Sequence, residues 1–206
     1  MTPRQIARRQ LLTDAVISLV DEIGPENVQM RNVAERSGVA LGTAYRYFAS
    51  KDHMLAAAWA DWHRRLTDRV HAELARQRSR ARREVGALDR VLSFFRREVR
   101  SFQRHPNFAR LVVLVQGSSD PFASEALATV ASSQDEVLVE LMEGVPEEIA
   151  LPARVAINAV LSTGLQEWTT GRRTIGDVQT NLESVTRLVL GSGALRGGGS
   201  AGQEVR

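Results

Sequence analysis

The 206 residues are long for one domain, and at 43% hydrophobic they supply enough apolar material for a substantial core. Cysteine is absent, which excludes disulfides, thiolate metal sites and cysteine nucleophiles, and no run of eighteen uncharged apolar residues offers a membrane span. The net charge of +3 hides a segregation: residues 64–110 carry fourteen basic against five acidic side chains, and residues 111–206 carry six against twelve.

The N-terminal stretch MTPRQIARRQLLTDAV is basic and then amphipathic. It lacks the continuous apolar segment and small-residue cleavage site of a secretory signal, so a cytoplasmic protein is expected. Apolar residues recur at helical spacing along the chain, and almost nothing alternates as a strand would. Leu12, Ala15, Val16, Leu19, Val20 and Ile23 make the first stripe, stopped at Gly24-Pro25, where glycine permits a cap and proline cannot continue the helix. Met30, Val33 and Ala34 begin a short second helix, broken at Ser37-Gly38, and Leu41, Ala44 and Phe48 define a third. Ser50 is a good N-cap for a fourth, with Asp52 in its first turn, where the helix dipole favours an acid. That helix carries Leu55, Trp59, Trp62, Leu66 and Val70 and runs to an arginine-rich stretch at 76–83. Further helices are expected at 84–105, 107–117, 122–143, 152–171 and 177–190, and the glycine-rich end, 192–206, should be disordered. The fold class is all-α.

Val28 to Lys51, VQMRNVAERSGVALGTAYRYFASK, is the informative stretch. Two short helices meet at a tight turn containing Gly38, with Val39 placed to plug the angle between them, as a helix-turn-helix requires. The second helix of such a motif lies in the major groove and needs an outward face that is polar but not bulky. Leu41, Gly42, Thr43, Tyr45, Arg46 and Tyr47 occupy that face or its ends, while Ala44 and Phe48 point back into the core. Arg4, Arg8 and Arg9 are either a solvated, flexible start or a basic arm touching backbone phosphate.

Through GVALGTAYRYFASKDHML, preceded by a helix of about twenty residues and a glycine turn, the chain resembles the tetracycline-repressor (TetR) family over residues 8–60. The resemblance implies an N-terminal three-helix DNA-binding domain (1–51) and a larger helical domain (52–191) for effector binding and dimerisation. Arg31 then matches a position that reaches a base edge, where an arginine can bond guanine bidentately. Leu41, Gly42 and Thr43 match the end of the recognition helix nearest the bases. Tyr45, Tyr47 and Lys51 match positions that hold phosphates and fix register; Arg46 suits either role. Position 44 is usually a larger aliphatic in this motif, so Ala44 leaves less packing under the recognition helix. Within the family, QMRNVAERSGVALGTAYRYF looks most like regulators of steroid and fatty-acid catabolism that respond to acyl-coenzyme A thioesters. The partners implied are double-stranded operator DNA, a small hydrophobic effector and a second copy of the chain, in the manner of a ligand-released repressor on a palindromic site.

The rest of the chain is read more openly. Trp62, Phe94, Phe102, Phe108, Leu111, Val115 and Trp168 are core residues on their spacing, and a pocket cut from that core would be lined by the same side chains. The run Arg76, Arg78, Arg80, Arg82 and Arg83 is either a solvated helix end or a seat for an anionic headgroup. The last two helices carry broad apolar faces that in a monomer would complete the core; the resemblance to the family implies that they pair instead with their copies across a two-fold axis, with Leu165 near the centre. His53, His63, His71 and His105 make no metal-ligand pattern, and no phosphate-cradling loop or serine–histidine–acid set appears. No metal, cofactor or catalytic residue is therefore expected. The rival reading is a helical carrier or enzyme with a pocket in 84–190 and a degenerate N-terminal motif.

Overall fold

The computed structural model describes residues 1–80 and 85–194. They form nine helices and no strand: α1 Pro3–Ile23, α2 Met30–Ser37, α3 Leu41–Tyr47, α4 Lys51–Arg80, α5 Ala87–Arg104, α6 Pro106–Gln116, α7 Pro121–Leu141, α8 Glu147–Thr169 and α9 Ile175–Ala194. The all-α class is as the apolar spacing requires. None of these helices is long and apolar enough to cross a membrane.

α1 starts earlier and more firmly than a flexible basic leader would. The Thr2 hydroxyl accepts from the Gln5 backbone N–H, the Gln5 side chain accepts from the Thr2 N–H at 2.7 Å, and Pro3 occupies the first turn. Arg4, Arg8 and Arg9 are thus helical, and the reading of them as a flexible start is corrected. Leu12, Ala15, Val16, Leu19 and Val20 are buried as their stripe demands, but Ile23 on the same face is 41% exposed. Periodicity gives the face, not how far neighbouring elements reach along it. α8 begins at Glu147 rather than 152 and carries Pro152 in its interior. Glu147 and Glu148 lie in its first turn, where the dipole favours them, and the helix forgoes one backbone hydrogen bond at the proline. α9 runs to Ala194, three residues into the expected tail. The side chains of Arg78 and Arg80, together with Arg82, Arg83 and 195–206, lie outside the described residues.

The chain divides into two compact units. One comprises Met1–Arg69 with Arg100–Gln134. In it α1 packs on α2 and on α6, and α2 packs on α3. Arg36 of α2 forms a two-pronged bond to Glu22 of α1, both prongs 2.7 Å, and this guanidinium holds the Glu22 carboxyl down to about 2. The second unit comprises Val70–Val99 and the described residues from Asp135 onward. Here α8 lies against α9, and Ile157, Leu161, Leu165, Val178 and Leu182 are buried. Gly164 permits the approach, since a Cβ there would come within 2.8 Å of Val178 Cγ1. Two buried arginines serve this unit. Arg90 donates to the carbonyls of Leu141 and Glu143 at 2.8 and 2.7 Å, and Arg154 pairs with Asp135 and Glu147 at 2.7 and 3.1 Å. Leu165 is 4% exposed within the single chain, so it is a core residue of this unit and not the centre of an open face. Among the described residues, the large apolar side chains that α8 and α9 leave exposed are Leu151, Val155 and Leu188.

Candidate functional site

The α2–turn–α3 segment has the form its sequence dictates. Gly38 adopts φ +68°, ψ 12°, the left-handed conformation that lets the chain reverse after α2. Ser37 Oγ accepts from the Val39 N–H at 3.3 Å, and the Ala40 carbonyl then accepts from Thr43 and Ala44 to open α3. Val33, Ala34, Ala44 and Phe48 are buried beneath, and Val39 is half-buried at the corner. Ala44 and Phe48 are fully enclosed, so the small residue at 44 leaves no solvent-reaching gap under the helix.

The expected contact residues make up an outward face. Arg31, Leu41, Gly42, Tyr45 and Arg46 are exposed, Tyr45 by 54%, while Thr43 and Tyr47 are half-buried. Arg31 and Arg46 have no acidic partner among the described residues. Lys51 sits in the first turn of α4, and its Nζ donates to the Glu26 carbonyl at 2.7 Å. One of its three donors therefore already ties α4 to the α1–α2 loop, a role its sequence position did not suggest.

Of what holds this face from below, the sequence showed only the Ser50 cap. Ser50 caps α4 by accepting from the His53 N–H at 2.9 Å, and its hydroxyl donates to Asp120 Oδ2 at 2.6 Å. That bond, with help from the Ala123 and Phe122 N–H groups, holds the Asp120 carboxyl below the usual range. Asp52 accepts from Ser118 Oγ at 2.5 Å. His53 Nδ1 accepts from the Ala49 N–H at 3.2 Å, and its ring lies between the Phe48 edge at 5.3 Å and the Phe122 face at 4.5 Å. Burial, and then Arg9, push the His53 imidazole below its ordinary value, which suits a ring nitrogen used as an acceptor. Arg9 stands over Phe48 with its guanidinium carbon 5.3 Å from the ring centre. The partners of Ser50 and Asp52 lie 70 and 66 residues away, with no local pattern to announce them.

The side chains expected to line an effector pocket are drawn from both units. Trp62, Phe102, Phe108, Leu111 and Val115 are buried in the first unit, whereas Phe94 and Trp168 belong to the second, Phe94 packed edge-on against Phe95 and Trp168 half-buried. Trp62 stacks on Phe108 at 4.4 Å with 7° between the planes, and meets Phe102 at 5.5 Å with the rings tilted by 42°. Trp59 joins this cluster at 5.7 Å from Trp62, and its Nε1–H is buried without a hydrogen-bond partner. A cavity of about 430 Å³ lies beside the cluster, bounded by α4 and α7. Its apolar lining is Ala57, Ala60, Phe122, Ala126 and Val130, with Arg9, Asp61, Arg64 and Glu125 supplying charge. His63 also lines it and lies 5.2 Å from the Trp59 ring.

Comparison with known proteins bears on this geometry. The sequence profile of bacterial regulatory proteins of the tetR family matches residues 12–58. The chain is 33% identical to the HTH-type transcriptional repressor KstR of Rhodococcus jostii (strain RHA1) over 195 residues, covering 93% of this chain and 87% of that protein. It is 31% identical to KstR of Mycolicibacterium smegmatis, covering 91% and 89%. Among solved structures, a TetR transcriptional regulator from Rhodococcus sp. RHA1 superposes with a TM-score of 0.72 at 25% identity, covering 92% of this chain and 98% of that one.

Proposed function

The chain belongs to the tetR family of bacterial regulatory proteins and is a DNA-binding transcriptional repressor, and from that premise we propose that it binds a palindromic operator as a homodimer and is released by a small hydrophobic effector. Residues 1–51 make the DNA-binding part, and 52–191 the part for effector and partner. The observation that carries the reading is the outward face of α2 and α3, where Arg31, Tyr45 and Arg46 stand exposed and uncompensated beside one another's helices.

On that face Arg31 reads a base edge, and Leu41, Gly42 and Thr43 approach the bases. Tyr45, Tyr47 and Lys51 hold phosphates. Gel shifts with fragments of the host genome test the binding, and three variants test the roles. Arg31→Ala should relax preference at one base pair per half-site, worth about 1–3 kcal/mol. Lys51→Ala should weaken all sequences alike and lower the salt slope by about one unit. Tyr45→Phe should weaken all sequences alike with the slope unchanged, because a neutral hydroxyl releases no counterion. An altered base preference in either of the last two variants would refute the phosphate roles.

The effector is read as apolar with one hydrogen-bond acceptor. It enters the cavity between α4 and α7, displaces His63 and offers its acceptor to the orphaned Trp59 Nε1–H among Trp62, Phe102 and Phe108. An orphaned buried donor costs about 1–3 kcal/mol, so a ligand that satisfies it gains that much. Movement of α7 and the segment before it is passed through Asp120 to Ser50 and through Ser118 to Asp52, at the start of α4, and so to the DNA-binding part, and the paired recognition helices no longer meet major grooves about 34 Å apart. Calorimetry with a long-chain acyl-coenzyme A, its free acid and free coenzyme A tests the effector. Binding of the first two and not the third is expected, weakened about 5- to 150-fold by Trp59→Phe. Tight binding of free coenzyme A alone would overturn it.

A further inference from the structure

A groove of about 330 Å³ runs between the N-terminal half of α1 and the recognition helix α3. Gln5, Arg8 and Arg9 line it from α1, and Thr43, Arg46 and Tyr47 from α3. No carboxylate lines it, because the first acid of α1 is Asp14 and none occurs between Ser37 and Lys51. Arg9 is taken up by the Phe48 ring. Arg8 and Arg46 have neither an acidic partner nor a hydrogen bond among the described residues, whereas Arg36, Arg65 and Arg110 of the same unit are paired with acids. Two unneutralised guanidinium groups facing one groove repel each other unless an anion sits between them. Thr43 and Tyr47 add hydroxyl donors, and guanidinium forks match phosphate oxygens.

We propose that this groove is a clamp for one phosphodiester of the DNA backbone beside each half-site, closed by Arg8 of α1 against Arg46 of α3. It rests on the DNA-binding reading above and adds α1 to the elements that hold the duplex. The clamp fixes register and reads no base. It also sets the role of Arg46, which the sequence left open between base and phosphate.

The test is operator binding by fluorescence anisotropy across a salt series, for the wild-type chain, Arg8→Ala, Arg46→Ala and the pair. Because both arginines serve one phosphate, the double variant should lose about one unit of salt slope in total, and each single variant only part of it. Base preference, measured with mismatched half-sites, should be unchanged throughout. Thermal melts should match the wild type, since both side chains are exposed. A loss near two units would mean two separate phosphates and overturn the shared clamp. No change of slope, or a changed base preference for Arg46→Ala, would also overturn it. If the wild-type chain itself binds no duplex, the DNA-binding reading fails first, and that outcome is distinct from a wild-type complex with an Arg8-independent slope.

Discussion

Phe48→Ala should be the most damaging single change in the DNA-binding part, costing about 3–5 kcal/mol of stability and abolishing operator binding. Phe48 is fully buried at the point where α3 ends, and its N–H closes the helix on the Ala44 carbonyl at 3.0 Å. Its ring supports His53 at its edge and Arg9 over its face. Truncation leaves a cavity under a helix of only seven residues, whose place depends on packing because so short a helix has little stability of its own. Phe48→Leu, which keeps most of the volume, should cost far less. Urea unfolding and operator anisotropy measure the two effects. A Phe48→Ala chain with wild-type midpoint and operator affinity would show that this packing does not hold the recognition helix.

The second large effect is expected at the far end of the chain. Val155 of α8 and Leu188 of α9 are 64% and 68% exposed in the single chain, an unfavourable place for apolar side chains unless a second copy covers them. Val155→Glu with Leu188→Glu should leave each chain folded, because both side chains are largely exposed in it. Two like charges at a two-fold contact would oppose pairing, and binding one half-site at a time forfeits roughly 10²- to 10⁴-fold in affinity. Sedimentation and operator titration read the two consequences. Leu165→Glu is the contrasting case. It places a carboxylate in the α8–α9 core and should unfold that unit rather than separate two folded chains. A wild-type monomer at micromolar concentration, or a charged variant that still sediments as a dimer, would remove the two-fold arrangement.

The sequence by itself determined the class of the fold, the helix-turn-helix and the family. All three rest on local physics. Apolar spacing near 3.6 residues forms Leu12–Val20 and Val33–Phe48 into faces, Gly38 supplies the left-handed turn between α2 and α3, and Ser50 caps the helix that follows. The capping box at Thr2 and Gln5, a local signal passed over in the sequence, makes the first arginines helical. Pro152 misled in the other direction, because a proline can stand inside a helix when the neighbouring turns hold it. Only the tertiary structure decided how far burial extends, as Ile23 and Leu165 show, and which distant groups meet. Ser50 with Asp120, Arg9 with Phe48 and Arg8 facing Arg46 across a groove are products of chain reversal over tens of residues. The same holds for the effector. An aromatic residue at core spacing looks identical whether it fills the interior or borders a space, so Trp62 and Phe108 could be assigned to the core but not to a pocket. That distinction depends on volume left over after all the side chains are packed, which is a property of the assembled helices and of no single segment.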